Sequence, residues 1–352
     1  MTSIDTLRVL WHPKDDVGSY YEDAAAHDIS SRRFAVADGV SSAIFSNTWA
    51  KLLVESSVAG DVPVDDPDAF VQWLAPLRRK WKDTLPSDMS PWMIRKLQET
   101  GGGHATLLGL SLLEDNGVIF YQAYSIGDCC LFVFRDGQLN TSFPANDSAY
   151  FGINPKSLPS SRMPRENYTP EQFSGTLNIG DTVVLATDAI ACWMFSQMEA
   201  GKEVDLAFFN QADSLDWTEF VSALRDEDQI RVDDTTILIF RLGEGQEDSD
   251  PVEIEPIVAG ETVDEAVDEV VDEVVDEVVD EVVDEVVDEV VDEVVDEVVD
   301  EGDSKIETES DAAPDPPVTG EEDDSQVQQP SAGAEPGLFR RVVRKLFGKR
   351  RY

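Results

Sequence analysis

The stretch 105-ATLLGLSLLEDNGVIFYQAYSIGDCCLFVFRDGQL-139 decides the fold. It holds three apolar runs of strand length, ATLLGLSLL (105–113), VIFYQAYSI (118–126) and CLFVF (130–134). Asn116-Gly117 separates the first two, and Asp136-Gly137 follows the third. Both dipeptides tolerate the positive φ angles that tight hairpins demand. The expectation is an antiparallel meander rather than a parallel βαβ sheet. Working outward, FAVAD (34–38), TVVLATD (182–188) and TTILIF (235–240) add three more short apolar strands. Helical spacing lies between them. Asp66-Pro67 reads as an N-cap and first-turn pair, followed by Phe70, Leu74, Leu77 and Trp81 on one stripe. Trp217, Phe220, Val221 and Leu224 repeat the pattern behind Asp216 and Glu219. Such stripes are core-facing surfaces. Strands and helices so mixed indicate an α+β layered domain over residues 1–243.

Charge divides the chain into three. The whole carries a net −45; residues 1–251 contribute −20, residues 252–336 −32, and residues 337–352 +7. An acidic body lacks the Lys and Arg surplus that binding to phosphate backbones needs, so no nucleic-acid partner is expected. Three cysteines form no disulfide framework and no C-x-x-C pair, which suits buried reduced thiols. The first residues lack the apolar core of a signal peptide, and no run approaches the ~20 apolar residues of a membrane span. A cytoplasmic protein is expected.

Residues 244–336 form an acidic low-complexity linker. Within it, residues 262–301 repeat one tetrad: TVDE, AVDE, then VVDE eight times. Identical acids at i and i+4 repel, and Val is a mediocre helix former, so a solvated spacer is expected rather than a packed domain. The tail 337-GLFRRVVRKLFGKRRY-352 is basic and amphipathic. Its expected contacts are an anionic membrane surface, which would make the protein peripheral there, or the chain's own acidic regions.

The candidate chemistry lies in carboxylates at strand ends. Asp38 closes FAVAD and precedes Gly39; Asp188 closes TVVLATD; Asp233 and Asp234 open TTILIF. Asp128 sits between two strands in SIGDCC, and Glu22-Asp23 lies before the first. One such acid is an ordinary turn residue. Several that converge repel one another unless a hard divalent cation neutralises them. The histidines, His12, His27 and His104, show no ligand spacing.

Order and neighbours add to this. YYEDA (Glu22, Asp23), FAVADGVSSAIFS (Asp38, Gly39), GGGHATLLGLSL, YSIGDCCLFVFRDGQL (Asp128), NIGDTVVLATDAI (Asp188) and VDDTTILIF (Asp233) follow in turn. The series resembles the motif order of the metal-dependent Ser/Thr protein phosphatases of the PPM, or type 2C, family, in its bacterial branch. The resemblance implies a four-layer sandwich of two antiparallel β-sheets flanked by helices, with two Mg²⁺ or Mn²⁺ ions at one edge. Asp38 would bridge both ions, the Gly39 carbonyl would bind one, and Asp188 and Asp233 would hold the other. Glu22 and Asp23 would act through water or support the ligands, and Asp128 would serve an auxiliary third ion. Hydroxide bridging the metals would attack phosphoserine or phosphothreonine of a phosphorylated protein.

Three positions depart from the family pattern. An arginine that grips phosphate, four residues before the Glu, is here Gly18, with Lys14, Arg32 and Arg33 as candidate substitutes. A histidine after Asp-Gly is here Val40, and a glycine after Asp188 is here Ala189, whose methyl could crowd the site. These departures motivate a second reading: a catalytically weak or inactive phosphatase-fold protein that binds its targets as a regulatory scaffold.

Overall fold

A computed structural model describes residues 2–15, 21–152, 155–161 and 168–244. Gly18, the tetrad repeat and the basic tail lie outside the described residues. The first half runs β1 (Thr2–His12), β2 (Ala24–Asp28), β3 (Arg33–Ala37), α1 (Ser46–Ala59), α2 (Pro67–Asp83), α3 (Pro91–Thr100), β4 (His104–Ala105), β5 (Leu107–Asp115) and β6 (Val118–Ile126). The second runs β7 (Cys130–Arg135), β8 (Gln138–Phe143), β9 (Leu158–Pro159), β10 (Glu171–Leu177), β11 (Thr182–Ala186), α4 (Asp188–Glu199), α5 (Leu206–Gln211), α6 (Ser214–Asp226) and β12 (Thr235–Glu244).

Two five-stranded antiparallel sheets result, ordered β1-β12-β11-β7-β8 and β10-β6-β5-β3-β2. The apolar runs are continuous rather than alternating because both faces of each sheet are covered. In β7, Leu131 and Val133 enter the core between the sheets, while Cys130, Phe132 and Phe134 pack under α4, α5 and α6. In β3, Phe34 and Val36 face the same inter-sheet core, and Ala35 and Ala37 pack beneath α1 and α2. The layers are therefore helices, sheet, sheet, helices.

Local signals explain the helices. Asp66 caps α2, accepting from the N–H groups of Asp68 and Ala69, and the stripe Phe70, Leu74, Leu77 and Trp81 is buried. Helix α6 starts one turn earlier than Asp216 suggests. Asp213 is its cap and Asp216 completes a capping box, with Trp217, Val221 and Leu224 buried.

Both hairpin turns form where the dipeptides place them. Asn116 and Gly117 have φ 51° and 75°, Asp136 and Gly137 φ 51° and 76°. The meander does not. The β5–β6 hairpin belongs to one sheet and the β7–β8 hairpin to the other. The chain changes sheet at Gly127, whose φ of 104° directs it across. A Cβ there would lie 2.5 Å from the Thr106 side chain and 2.8 Å from the Lys156 carbonyl oxygen. The crossing places Asp128 between the two sheets.

Candidate metal centre

Register brings the strand-end residues to one end of the sandwich. Ala24 pairs with Ala37, Val36 with Leu108, and Leu107 with Ile126. In the other sheet Cys130 pairs with Ala186, and Ala186 with Ile237. Asp23, Asp38, Asp128, Asp188 and Asp233 all lie just beyond these pairs. Asp38, Asp128 and Asp188 each present a carboxylate oxygen within 4.8 Å of the other two; Asp128 and Asp188 are buried and Asp38 partly so.

Asp38 is fixed through its backbone. Its N–H donates to the Thr106 hydroxyl at 3.0 Å, and its carbonyl accepts the Thr106 N–H at 2.8 Å. Gly39 bridges to Ala105 and has no room for a side chain: a Cβ would stand 2.6 Å from the Glu22 carbonyl oxygen. Asp188 opens α4, where the unpaired N–H groups of the first turn favour negative charge. The preceding Thr187 does not cap that helix with its side chain. Its hydroxyl donates instead to Asp23 Oδ2 at 2.9 Å, and the Thr236 hydroxyl reaches the same oxygen at 2.8 Å.

Asp128 differs from the others. It is 3 % exposed, and neither carboxylate oxygen has a hydrogen-bond partner. A buried carboxylate left so costs several kcal/mol unless it is protonated or meets a cation. Burial, then the charge of Asp188, pushes Asp128 up to about 7. Burial and the neighbouring carboxylates also raise Asp38, with Asp23 the strongest neighbour. Asp188 is raised by burial against the opposing pull of Arg231. Proton affinities raised together where three carboxylate oxygens converge suit a hard divalent cation.

The remaining sequence candidates have other company. Glu22 pairs with Lys14, and its N–H donates to Asp234 Oδ2 at 2.6 Å. Asp234 also accepts the Lys14 N–H at 2.7 Å, so this buried acid ties the Glu22 segment to the start of β12. Asp23 is buried on its two threonines. Asp233 stands outside the three-carboxylate group: one oxygen accepts the Asp234 N–H at 2.9 Å, although its charge still reaches Asp188. Arg32 pairs with Glu114 and the Thr2 carbonyl, and Arg33 with Asp61, so both are engaged elsewhere. Ala189 is 1 % exposed and packs in the apolar cluster beneath α4. His104 is held by Ser157 and the Thr100 carbonyl.

Arg231 carries no mark in the sequence. Its Nη2 donates to Asp188 Oδ2 at 2.8 Å from the loop before β12. A polar loop residue has no periodicity to mark it. Thr106, Thr187 and Thr236 escaped notice for the same reason, being short polar residues inside apolar runs.

No protein-family model matches the sequence, and no curated protein matches it. Three solved structures are among those similar to the chain. The catalytic domain of the serine/threonine protein phosphatase PstP, in complex with two manganese ions, is 14 % identical over 69 % of this chain and 100 % of its own, with a TM-score of 0.43. PppA, described as a key regulatory component of the T6SS in Pseudomonas aeruginosa, is 15 % identical over 69 % and 100 %, with a TM-score of 0.44. The photosystem II phosphatase PBCP is 18 % identical over 67 % and 98 %, with a TM-score of 0.40.

Proposed function

We propose that the protein is a metal-dependent phosphatase of the PPM type, acting on phosphoserine and phosphothreonine in proteins. The observation that carries this is Asp38, Asp128 and Asp188 meeting within 4.8 Å from three separate strand ends, with Asp128 buried and unpartnered. In this reading the three carboxylates hold Mg²⁺ or Mn²⁺, two ions at the core of the site. Asp233, Glu22, Asp23 and the Gly39 carbonyl flank them. The catalytic unit is residues 1–243, with the acidic linker and basic tail as appendages.

Bound divalent cations supply Lewis acidity toward water and toward phosphoryl oxygen. The chain's part is to hold and orient. Thr106 fixes the Asp38 backbone, while Thr187 and Thr236 lock Asp23 behind Asp188. Asp234 anchors Glu22 and Lys14 at the rim. No side-chain nucleophile is required, which agrees with Cys129 and Cys130 being buried and their thiols pushed up by burial. The competing scaffold reading draws on Arg231, which already neutralises Asp188 in part.

One experiment separates these. Mn²⁺ binding is measured by calorimetry, and phosphopeptide hydrolysis with and without Mn²⁺, for the wild type and Asp38→Ala. The expected result is Mn²⁺-dependent turnover that falls about 10³-fold or more in the variant, the equivalent of roughly 4 kcal/mol. Wild-type turnover no faster than the variant's, with Mn²⁺ bound, would leave the scaffold reading standing.

A further inference from the structure

We infer that Arg231 is the residue that grips the substrate's phosphoryl group, a role that rests on the phosphatase reading above. Its guanidinium lies against the carboxylate group, donating from Nη2 to Asp188 Oδ2 at 2.8 Å, and its charge also reaches Asp128. Yet its side chain is 43 % exposed, beside an Asp188 side chain only 10 % exposed. One edge of the planar group is thus turned to the acids and the rest to solvent, the side from which a phosphorylated peptide must arrive. Arginine offers five N–H donors in a fixed fork suited to phosphate oxygens. The single contact with Asp188 leaves donors to spare.

Other described cations near this end are more fully engaged. Lys14 is shared between Glu22 and Ser41, and its charge acts with Glu22, Asp234 and Asp233. Arg225 is spent on backbone, donating to the carbonyls of Pro13 at 2.7 Å and Asp233 at 2.6 Å. Arg231 is the described arginine whose ion pair is with a member of the cluster. A cation drawing on Asp188 weakens the acid's hold on the guanidinium, and an incoming phosphate replaces what is lost. Arg231 and Asp188 therefore form a pair that exchanges partners, with the arginine moving from carboxylate to phosphate.

The alternative is that Arg231 merely occupies Asp188 until a cation arrives. The test compares wild type, Arg231→Gln, Arg231→Lys and Lys14→Gln. Calorimetry follows Mn²⁺ binding and then inorganic phosphate binding to the Mn²⁺-loaded protein; phosphopeptide kinetics give KM and kcat. We expect Arg231→Gln to weaken phosphate binding and raise KM by about 10- to 100-fold, while Mn²⁺ binding is retained or tightened because the arginine no longer competes for Asp188. Arg231→Lys is expected to recover part of the phosphate affinity. Unchanged phosphate binding with tighter Mn²⁺ binding in Arg231→Gln overturns the assignment and leaves the metal site intact. Loss of phosphate binding in Lys14→Gln but not in Arg231→Gln moves the grip to Lys14. A wild type that takes up no Mn²⁺ removes the phosphatase reading itself, and this role with it.

Discussion

The tripeptide Ile-Gly-Asp occurs at 126–128 and again at 179–181. Both glycines have positive φ, 104° and 91°, and both aspartates are buried, 3 % and 1 % exposed. Asp181 receives a two-pronged Arg135, Nε to Oδ1 at 2.9 Å and Nη2 to Oδ2 at 2.7 Å, plus the Asn178 N–H at 2.8 Å. Asp128 receives nothing, and faces Asp38 and Asp188 instead. Sequence, backbone and depth are matched; only the company differs. A satisfied buried acid is structural, whereas an unsatisfied one among its own kind is what the proposed cation site rests on.

The largest way to test that contrast is to neutralise Asp128. Its carboxyl is pushed up to about 7, by burial first and Asp188 next. Below pH ~4 the group is protonated in both folded and unfolded chains, and its contribution is neutral. As pH rises from ~4 to ~7 the unfolded chain releases the proton and the folded chain keeps it. Stability therefore falls by about 4 kcal/mol across that window and levels above it. Asp128→Asn removes the proton-linked part of this loss. With chelator present at pH 8 the variant is expected to melt above wild type, and near pH 4.5 by a much smaller margin. Saturating Mn²⁺ is expected to reverse the order at pH 8. A variant less stable than wild type at both pH values without metal would refute the picture of Asp128 as an unsatisfied charge.

The matching change at the satisfied acid goes the other way. Asp181→Ala strips Arg135 and the Asn178 N–H of their partner, and is expected to cost about 2 kcal/mol, the worth of charge-assisted hydrogen bonds that water only partly replaces at a one-third-exposed Arg135. Urea unfolding at pH 5 and pH 8 measures it, and the loss should be similar at both. Mn²⁺ affinity of the folded variant should equal that of wild type. A change in metal binding would mean that the two Ile-Gly-Asp segments are not independent.

The same contrast shows what could be read from the chain alone. Strands covered on both faces, β3, β5, β6, β7, β11 and β12, announce themselves as apolar runs. In the two five-stranded sheets the strands without such a run, β1, β2, β8 and β10, are the four edges. Each has exposed or half-exposed positions; β10, for one, is open at Glu171, Gln172, Phe173 and Ser174. Edge strands bury too little to show a run. The hairpins were legible because Asn116-Gly117 and Asp136-Gly137 encode their φ angles locally. The change of sheet between them was not, since it depends on what Gly127 meets across the fold. The site followed suit. Motif order marked Asp38 and Asp188 and gave Asp128 only an auxiliary ion; its Ile-Gly-Asp is the same as that at Asp181, so local sequence does not set it apart. Arg231 became visible only through its contact with Asp188.

The smallest expected effect bears on whether local sequence next to a ligand matters at all. Ala189 follows Asp188 where the resembled family has glycine, and a methyl there was a candidate for crowding the site. The structure turns that methyl into the apolar cluster beneath α4, away from the carboxylates. Ala189→Gly removes a buried methyl and a helix-favouring residue, each worth up to about 1 kcal/mol. The change sits in the first turn of α4, where helix propensity weighs least, so the net loss should be about 1 kcal/mol by thermal or urea denaturation. Mn²⁺ affinity and phosphopeptide turnover should move by less than about twofold. If glycine instead raised either several-fold, the backbone beside Asp188 would be limiting the site. The lesson of the two tripeptides, that surroundings outweigh local sequence, would then stop short of the carboxylate cluster.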